Sequence, residues 1–158
     1  MPGENLTRVE AQQRKALLNV TSYDVKLDLT TGPETFRSTT TVVFDATEGS
    51  STFIDAITAK VHAITLNGSG VDVSAADGAR IALDNLAASN TLVVDADFAY
   101  TNTGEGLHRF VDPVDNEVYL YSQFEVPDSR RVYAVFEQPG SLPRRAHRDS
   151  ARVACPRT

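Results

Sequence analysis

Histidine and cysteine are the side chains best suited to metal or nucleophilic chemistry, and in this 158-residue sequence their spacing argues against both. His62, His108 and His147 stand far apart; none lies in H-E-x-x-H, and none has a second His three to five residues away. Cys155 is the only cysteine and cannot build a Cys-based zinc site. G-x-S-x-G, a Walker loop and G-x-G-x-x-G after a strand are all missing. His62 falls on a strand pattern, where a surface or packed role is expected rather than ligation. These residues predict no catalytic group, no metal site and no cofactor in this chain, which is expected to be inactive alone.

What remains is a pair of acceptors. Residues 117–125 alternate as a strand, so Gln123 and Glu125 are expected to project to the same side. An amide oxygen and a carboxylate placed together suit an ammonium group. The same spacing also suits two solvated residues on a wet strand face, and the residues alone leave both readings open. Val126-Pro127-Asp128 then predicts a short helix near 127–134, with Pro127 in its first turn and Asp128 at its positive end.

The elements that must position this pair are mostly strands. Thr7-Arg8-Val9-Glu10 fits a capping box ahead of good helix formers, predicting a helix over 7–18. From Val20 the period changes to two: Tyr23, Val25, Leu27 and Leu29 alternate with polar residues. Residues 36–44, 53–56, 61–66, 80–83 and 92–100 read as further strands, and Asn67-Gly68 signals a tight hairpin. Short strands with frequent turns predict a mainly β fold, an antiparallel sandwich or curved saddle.

Composition bounds the partners. Residues 1–140 hold 20 Asp and Glu against 10 Lys and Arg, so nucleic acid is not an expected partner. No run is long and apolar enough to span a bilayer, and no membrane partner is expected. One cysteine and no secretory pattern at Met1-Pro2-Gly3 predict a cytoplasmic protein. Residues 141–158 differ, with five Arg and one Asp.

The run Tyr121-Ser122-Gln123-Phe124-Glu125-Val126-Pro127-Asp128-Ser129-Arg130-Arg131, continuing to Phe136-Glu137-Gln138-Pro139, resembles the end of the N-terminal domain of aminopeptidase N, a zinc gluzincin aminopeptidase. That family carries T-Q-x-E, then A-R and F-D-E-P, in this place. Gly106-Leu107-His108-Arg109 resembles its G-L-Y/H-R segment, and 23–29 and 61–68 resemble its opening strand and its strand to an N-G turn. The wording is most similar to the actinobacterial branch. The resemblance implies that Gln123 and Glu125 help bind the substrate's free α-amino group, so that the partner is a peptide N-terminus. Arg130 and Arg131 are expected to hold the strand-to-helix corner.

The resemblance implies an incomplete N-terminal β domain over 1–139, with zinc belonging to the full-length enzyme, because G-x-M-E-N and H-E-x-x-H are missing here. Residues 140–158 are expected to be a basic, disordered or out-of-frame tail; a natural basic tail is the alternative. If the domain normally adds strands after Pro139, its sheet ends in an unpaired edge and self-association is expected. From another class, a free-standing β-sandwich binding module remains the alternative function.

Overall fold

The structure is a computed structural model that describes residues 5–125 and 127–136, with the backbone of 153–154. Helix α1 (Arg8–Leu17) starts where the capping box predicts: Thr7 Oγ1 accepts the Glu10 N–H, and the Glu10 carboxylate accepts the Thr7 N–H. It runs straight into β1 (Leu18–Asp28). There follow β2 (Thr35–Ala46), β3 (Thr52–Asp55), β4 (Lys60–Leu66), β5 (Ser69–Val71), β6 (Ala76–Asp77), β7 (Arg80–Leu83) and β8 (Ser89–Ala99). A hairpin of β9 (Gly106–Val111) and β10 (Val118–Gln123) comes next, and Val153–Ala154 forms a two-residue β11. The fold is mainly β, as the alternation predicts.

The large sheet has the order β11-β1-β2-β8-β4-β5, and its pairs are antiparallel apart from β11, which lies parallel to β1 at Leu27 and Asp28. A smaller sheet runs β3-β7-β6. Alternation along β2 and β8 sends Phe36, Val42, Phe44, Leu92, Val94 and Phe98 into the interior. Ile54, Ile81 and Leu83 of the smaller sheet join the same core, so the two sheets close on each other as a sandwich. Asn67 and Gly68 both take positive φ, 53° and 81°, and turn β4 into β5 as their dipeptide predicts. His62 sits at a register shift in β4 and pairs with Asp97 at 2.9 Å on the half-exposed face.

Three differences from the sequence expectation have physical causes. The ladder of β10 stops at Gln123 rather than at 125. The expected helix near 127–134 is a single 3-10 turn, Asp128–Arg131, with Pro127 as its N-cap. The ladder ends at Gln123 because its partner strand begins opposite it at Gly106, whose φ of 63° turns the chain away. The segment 106–111, left unassigned by the sequence, is the partner strand β9. The expected tail, 140–158, lies outside the described residues save for the backbone of 153–154. Along β1, the described residues place a partner beside this edge only at Leu27 and Asp28.

Charged side chains tie α1 to the smaller sheet. Arg14 and Asp55 form an ion pair at 2.8 Å with both side chains 1% exposed. Arg80 binds Glu10 at 2.8 Å, and both guanidinium groups lie over the Phe53 ring, that of Arg14 at 4.8 Å and that of Arg80 at 4.1 Å from its centroid. The Arg80 hydrogen bond, seconded by the Thr7 N–H, holds the Glu10 carboxyl down to about 2, against an ordinary value of 4.5. A depressed carboxyl stabilises the fold above its unfolded pKa and loses that contribution as pH falls through the folded value. Stability is therefore expected to drop between about pH 4.5 and 2, and Glu10→Gln should flatten that part of the profile. Thermal melts from pH 6 to 2 check this; parallel curves for the two proteins would contradict it.

Candidate functional site

The predicted pair lies at the base of the β9–β10 hairpin, and the turn at its far end is built from side-chain caps. Asp112 Oδ1 accepts the Val114 N–H at 2.8 Å, Asp115 Oδ1 accepts the Glu117 N–H at 2.8 Å, and Asn116 takes φ 61°. Tyr119 then donates its hydroxyl to Asp115 Oδ2 at 2.8 Å. That bond raises the Tyr119 pKa, while the Glu117 N–H, with Tyr119 second, lowers that of Asp115. The register runs Val118 opposite Val111 through Tyr121 opposite His108 to Gln123 opposite Gly106.

Backbone geometry fixes the base. Asp128 N–H donates to the Glu125 carbonyl at 2.6 Å, closing the turn that follows β10. Val135 and Asp55 exchange backbone bonds of 2.9 and 3.0 Å, and Leu107, Val132, Ala134 and Phe136 enter the core. Gly106 has φ 63°, and a Cβ there would meet Arg131 Cβ at 2.9 Å, so only glycine fits this approach without displacement. Arg131 reaches Glu105 at 3.3 Å and Asp128 at 3.5 Å. Arg130 is 5% exposed, donates to Asn5 Oδ1 at 3.3 Å, and its carbonyl accepts the Ile57 N–H at 2.8 Å.

Gln123 is half-buried and Glu125 exposed. Among the described residues, neither side chain has a hydrogen-bond partner. The ladder sets the side of Gln123, whereas Glu125 lies beyond it and takes its direction from the turn. Reading the sequence missed the stack of His108 on Tyr121, with ring centroids 4.5 Å apart and 21° between planes. Alternation through Gly106, His108 and Phe110 is the signal that could have found it. A cleft of about 300 Å³ lined by Glu34, Tyr100 and Arg109, among others, does not include Gln123 or Glu125.

Zinc does not fit these residues: among those described, no group of three or more His, Cys, Asp or Glu could hold a metal ion. No helix among them is long and apolar enough to cross a membrane.

No family model matches the chain. In an alignment 144 residues long that covers 88% of this chain, it is 59% identical to aminopeptidase N of Streptomyces lividans. By sequence it is a relative of aminopeptidase N. The match spans 17% of that protein's length, and the homology is to the N-terminal part of such aminopeptidases. Solved structures agree on the fold. Leukotriene A4 hydrolase from Saccharomyces cerevisiae superposes with a TM-score of 0.62 at 14% identity, over 84% of this chain and 25% of that one. An M1 zinc metallopeptidase from Deinococcus radiodurans gives 0.60 at 20% identity, over 78% and 30%.

Proposed function

We propose that this chain is the N-terminal, non-catalytic domain of a zinc aminopeptidase, over 1–139, and that Gln123 and Glu125 supply part of the anchor for a peptide's free α-amine. The reading is carried by one observation: Gln123 and Glu125, both without hydrogen-bond partners among the described residues, stand at the fixed base of a hairpin that is exposed toward its turn end. Phe110, Val111, Val118, Tyr119, Leu120 and Tyr121 are each 37 to 52% exposed on that hairpin. Apolar side chains in such density suit a surface that further polypeptide covers. The relatedness to aminopeptidase N supports that further polypeptide being the zinc-bearing part.

Such a domain contributes position rather than bond chemistry. An ammonium held by one carboxylate and one amide oxygen fixes the first peptide bond relative to whatever cleaves it. No hydrolytic step is derived for this chain, whose described residues hold no metal site. The single cysteine and the acidic balance of 1–140 support a cytoplasmic protein without a nucleic-acid partner.

The test places residues 5–136 in the Streptomyces lividans enzyme in exchange for its matching segment. A charged acceptor on an ammonium contributes roughly 1.5 to 3 kcal/mol and a neutral one about half. Glu125→Ala should therefore cost about 10- to 100-fold in kcat/KM, and Gln123→Ala less. Both losses should shrink on a substrate whose α-amine is acetylated. Equal losses on free and acetylated substrates would remove the anchor assignment.

A further inference from the structure

Asn67 carries two features that pull in opposite directions. It is exposed in the turn from β4 to β5, and Gly68 follows it. An asparagine amide is most open to attack by the next backbone nitrogen when that nitrogen belongs to glycine, which has no side chain to block the approach. Nothing else shields Gly68, since a Cβ built there would meet no atom within 4 Å. Of the seven asparagines in the sequence, Asn67 alone precedes a glycine.

The opposing feature is a lock onto β8. Asn67 Oδ1 accepts the Thr91 N–H at 2.8 Å, its Nδ2 donates to Asn90 Oδ1 at 3.0 Å, and its own N–H donates to the Thr91 carbonyl at 2.9 Å. Both ends of the side-chain amide are therefore held. Asn90 is 2% exposed, and Ala87 fixes which way its amide points. Asn90 Oδ1 accepts the Ala87 N–H at 2.9 Å, and its Nδ2 donates to the Ala87 carbonyl at 2.7 Å. Turning Asn90 over would set donor against donor and acceptor against acceptor at both bonds.

We propose that Asn67 is a site of spontaneous covalent modification, whose rate is set by the opening of this lock and whose product cannot re-enter it. When the turn opens, the Gly68 nitrogen gives its proton to solvent base and attacks Asn67 Cγ. The new N–Cγ bond closes a succinimide ring, the Cγ–Nδ2 bond breaks, and ammonia leaves. Water then opens the ring at either carbonyl, giving an aspartate or the isomer whose main chain runs through the side-chain carboxyl. One water is consumed and one ammonia released, with no oxidant or cofactor.

Either product misfits the lock. A carboxylate has no hydrogen to give Asn90 Oδ1, so two acceptors face each other beside a buried side chain. The isomer adds a methylene to the main chain inside a tight turn whose register pairs Leu66 with Ser69. The short β5 is the outer strand beside β4, so its release uncovers the edge of β4.

The test incubates the full chain at pH 8 in buffer and in urea, then follows its tryptic peptide 61–80, in which Asn67 is the single asparagine. Mass spectrometry reads the loss of ammonia, and fragmentation separates aspartate from its isomer. In urea, Asn67 should convert faster than any other asparagine of the chain. In buffer it should convert at least about 10-fold more slowly, because a reaction confined to the open form scales with the fraction open. Asn67→Asp, a lasting copy of one product, should speed amide hydrogen exchange about 5- to 100-fold across residues 64–66 and 69–71. Exchange at Phe36 and Val42 should stay as it was. Equal conversion in buffer and urea would overturn the lock, and that comparison needs no variant to fold. Absence of conversion in urea would overturn the site itself. Unchanged exchange in Asn67→Asp would overturn the misfit of the product.

Discussion

Asp55→Ala is expected to destabilise the protein by about 3 to 5 kcal/mol, because it removes one member of an ion pair in a site closed to water. Arg14 is 2% exposed and Asp55 1%, and their contact is 2.8 Å. The Arg14 bond to the Phe53 carbonyl at 3.3 Å remains, but a neutral acceptor replaces little of what a carboxylate supplies. A domain of this kind has about 5 to 15 kcal/mol in total, so the variant should be marginal at room temperature. Removing both charges, as Arg14→Leu with Asp55→Ala, should recover part of the loss, since the buried pair is then removed whole. Urea unfolding at pH 7 reads all of these. A loss under about 1 kcal/mol for Asp55→Ala would mean that water reaches the guanidinium.

Phe136→Ala should cost a similar amount, about 3 to 5 kcal/mol, by leaving a cavity where three elements meet. Phe136 is 2% exposed and packs edge-on against Phe44 at 5.2 Å. The Arg14 guanidinium lies 5.6 Å from its ring, and its N–H donates to the Tyr23 hydroxyl at 3.1 Å. Because Asp55 and Phe136 share Arg14, their losses should not add, and a coupling of about 0.5 to 3 kcal/mol is expected in a double-mutant cycle. Phe136→Leu, which keeps most of the volume, should cost clearly less. An additive cycle would show that the ring and the ion pair act independently.

Local chemistry in the sequence reaches further than distant chemistry. The capping box at Thr7 and Glu10, the Asn67-Gly68 turn and the alternation through Phe36, Val42 and Phe44 act between near neighbours, and all three stand in the structure. Arg14 shows the limit. In sequence it is a basic residue in a helix's last turn, and nothing local announces a carboxylate 41 residues away that draws it inside. Ser38 and Thr40 read as wet by composition, yet they share the face of Phe36, Val42 and Phe44 in the same alternation and are buried with them. At the site, the positions of Gln123 and Glu125 were legible only up to the last rung of β10. The orientation of Glu125 depends on the Asp128 N–H bond to its carbonyl, and that geometry comes from a turn rather than from a period.

The pairing of β2 with β8 sets the order in which a growing chain can fold. Thr35 faces Ala99 and Asp45 faces Ser89, so the centre of the large sheet joins residues 44 to 64 apart in the chain. Until residue 99 has left the ribosome, β2 has only β1 beside it, and a two-stranded ribbon is marginal in water. Phe36, Val42 and Phe44 then lack the strand that completes their cover. Closing so long a loop is also slow, since its entropy is spent before the contacts form. During synthesis the nascent chain therefore carries an incompletely covered apolar ribbon for the time needed to add those residues.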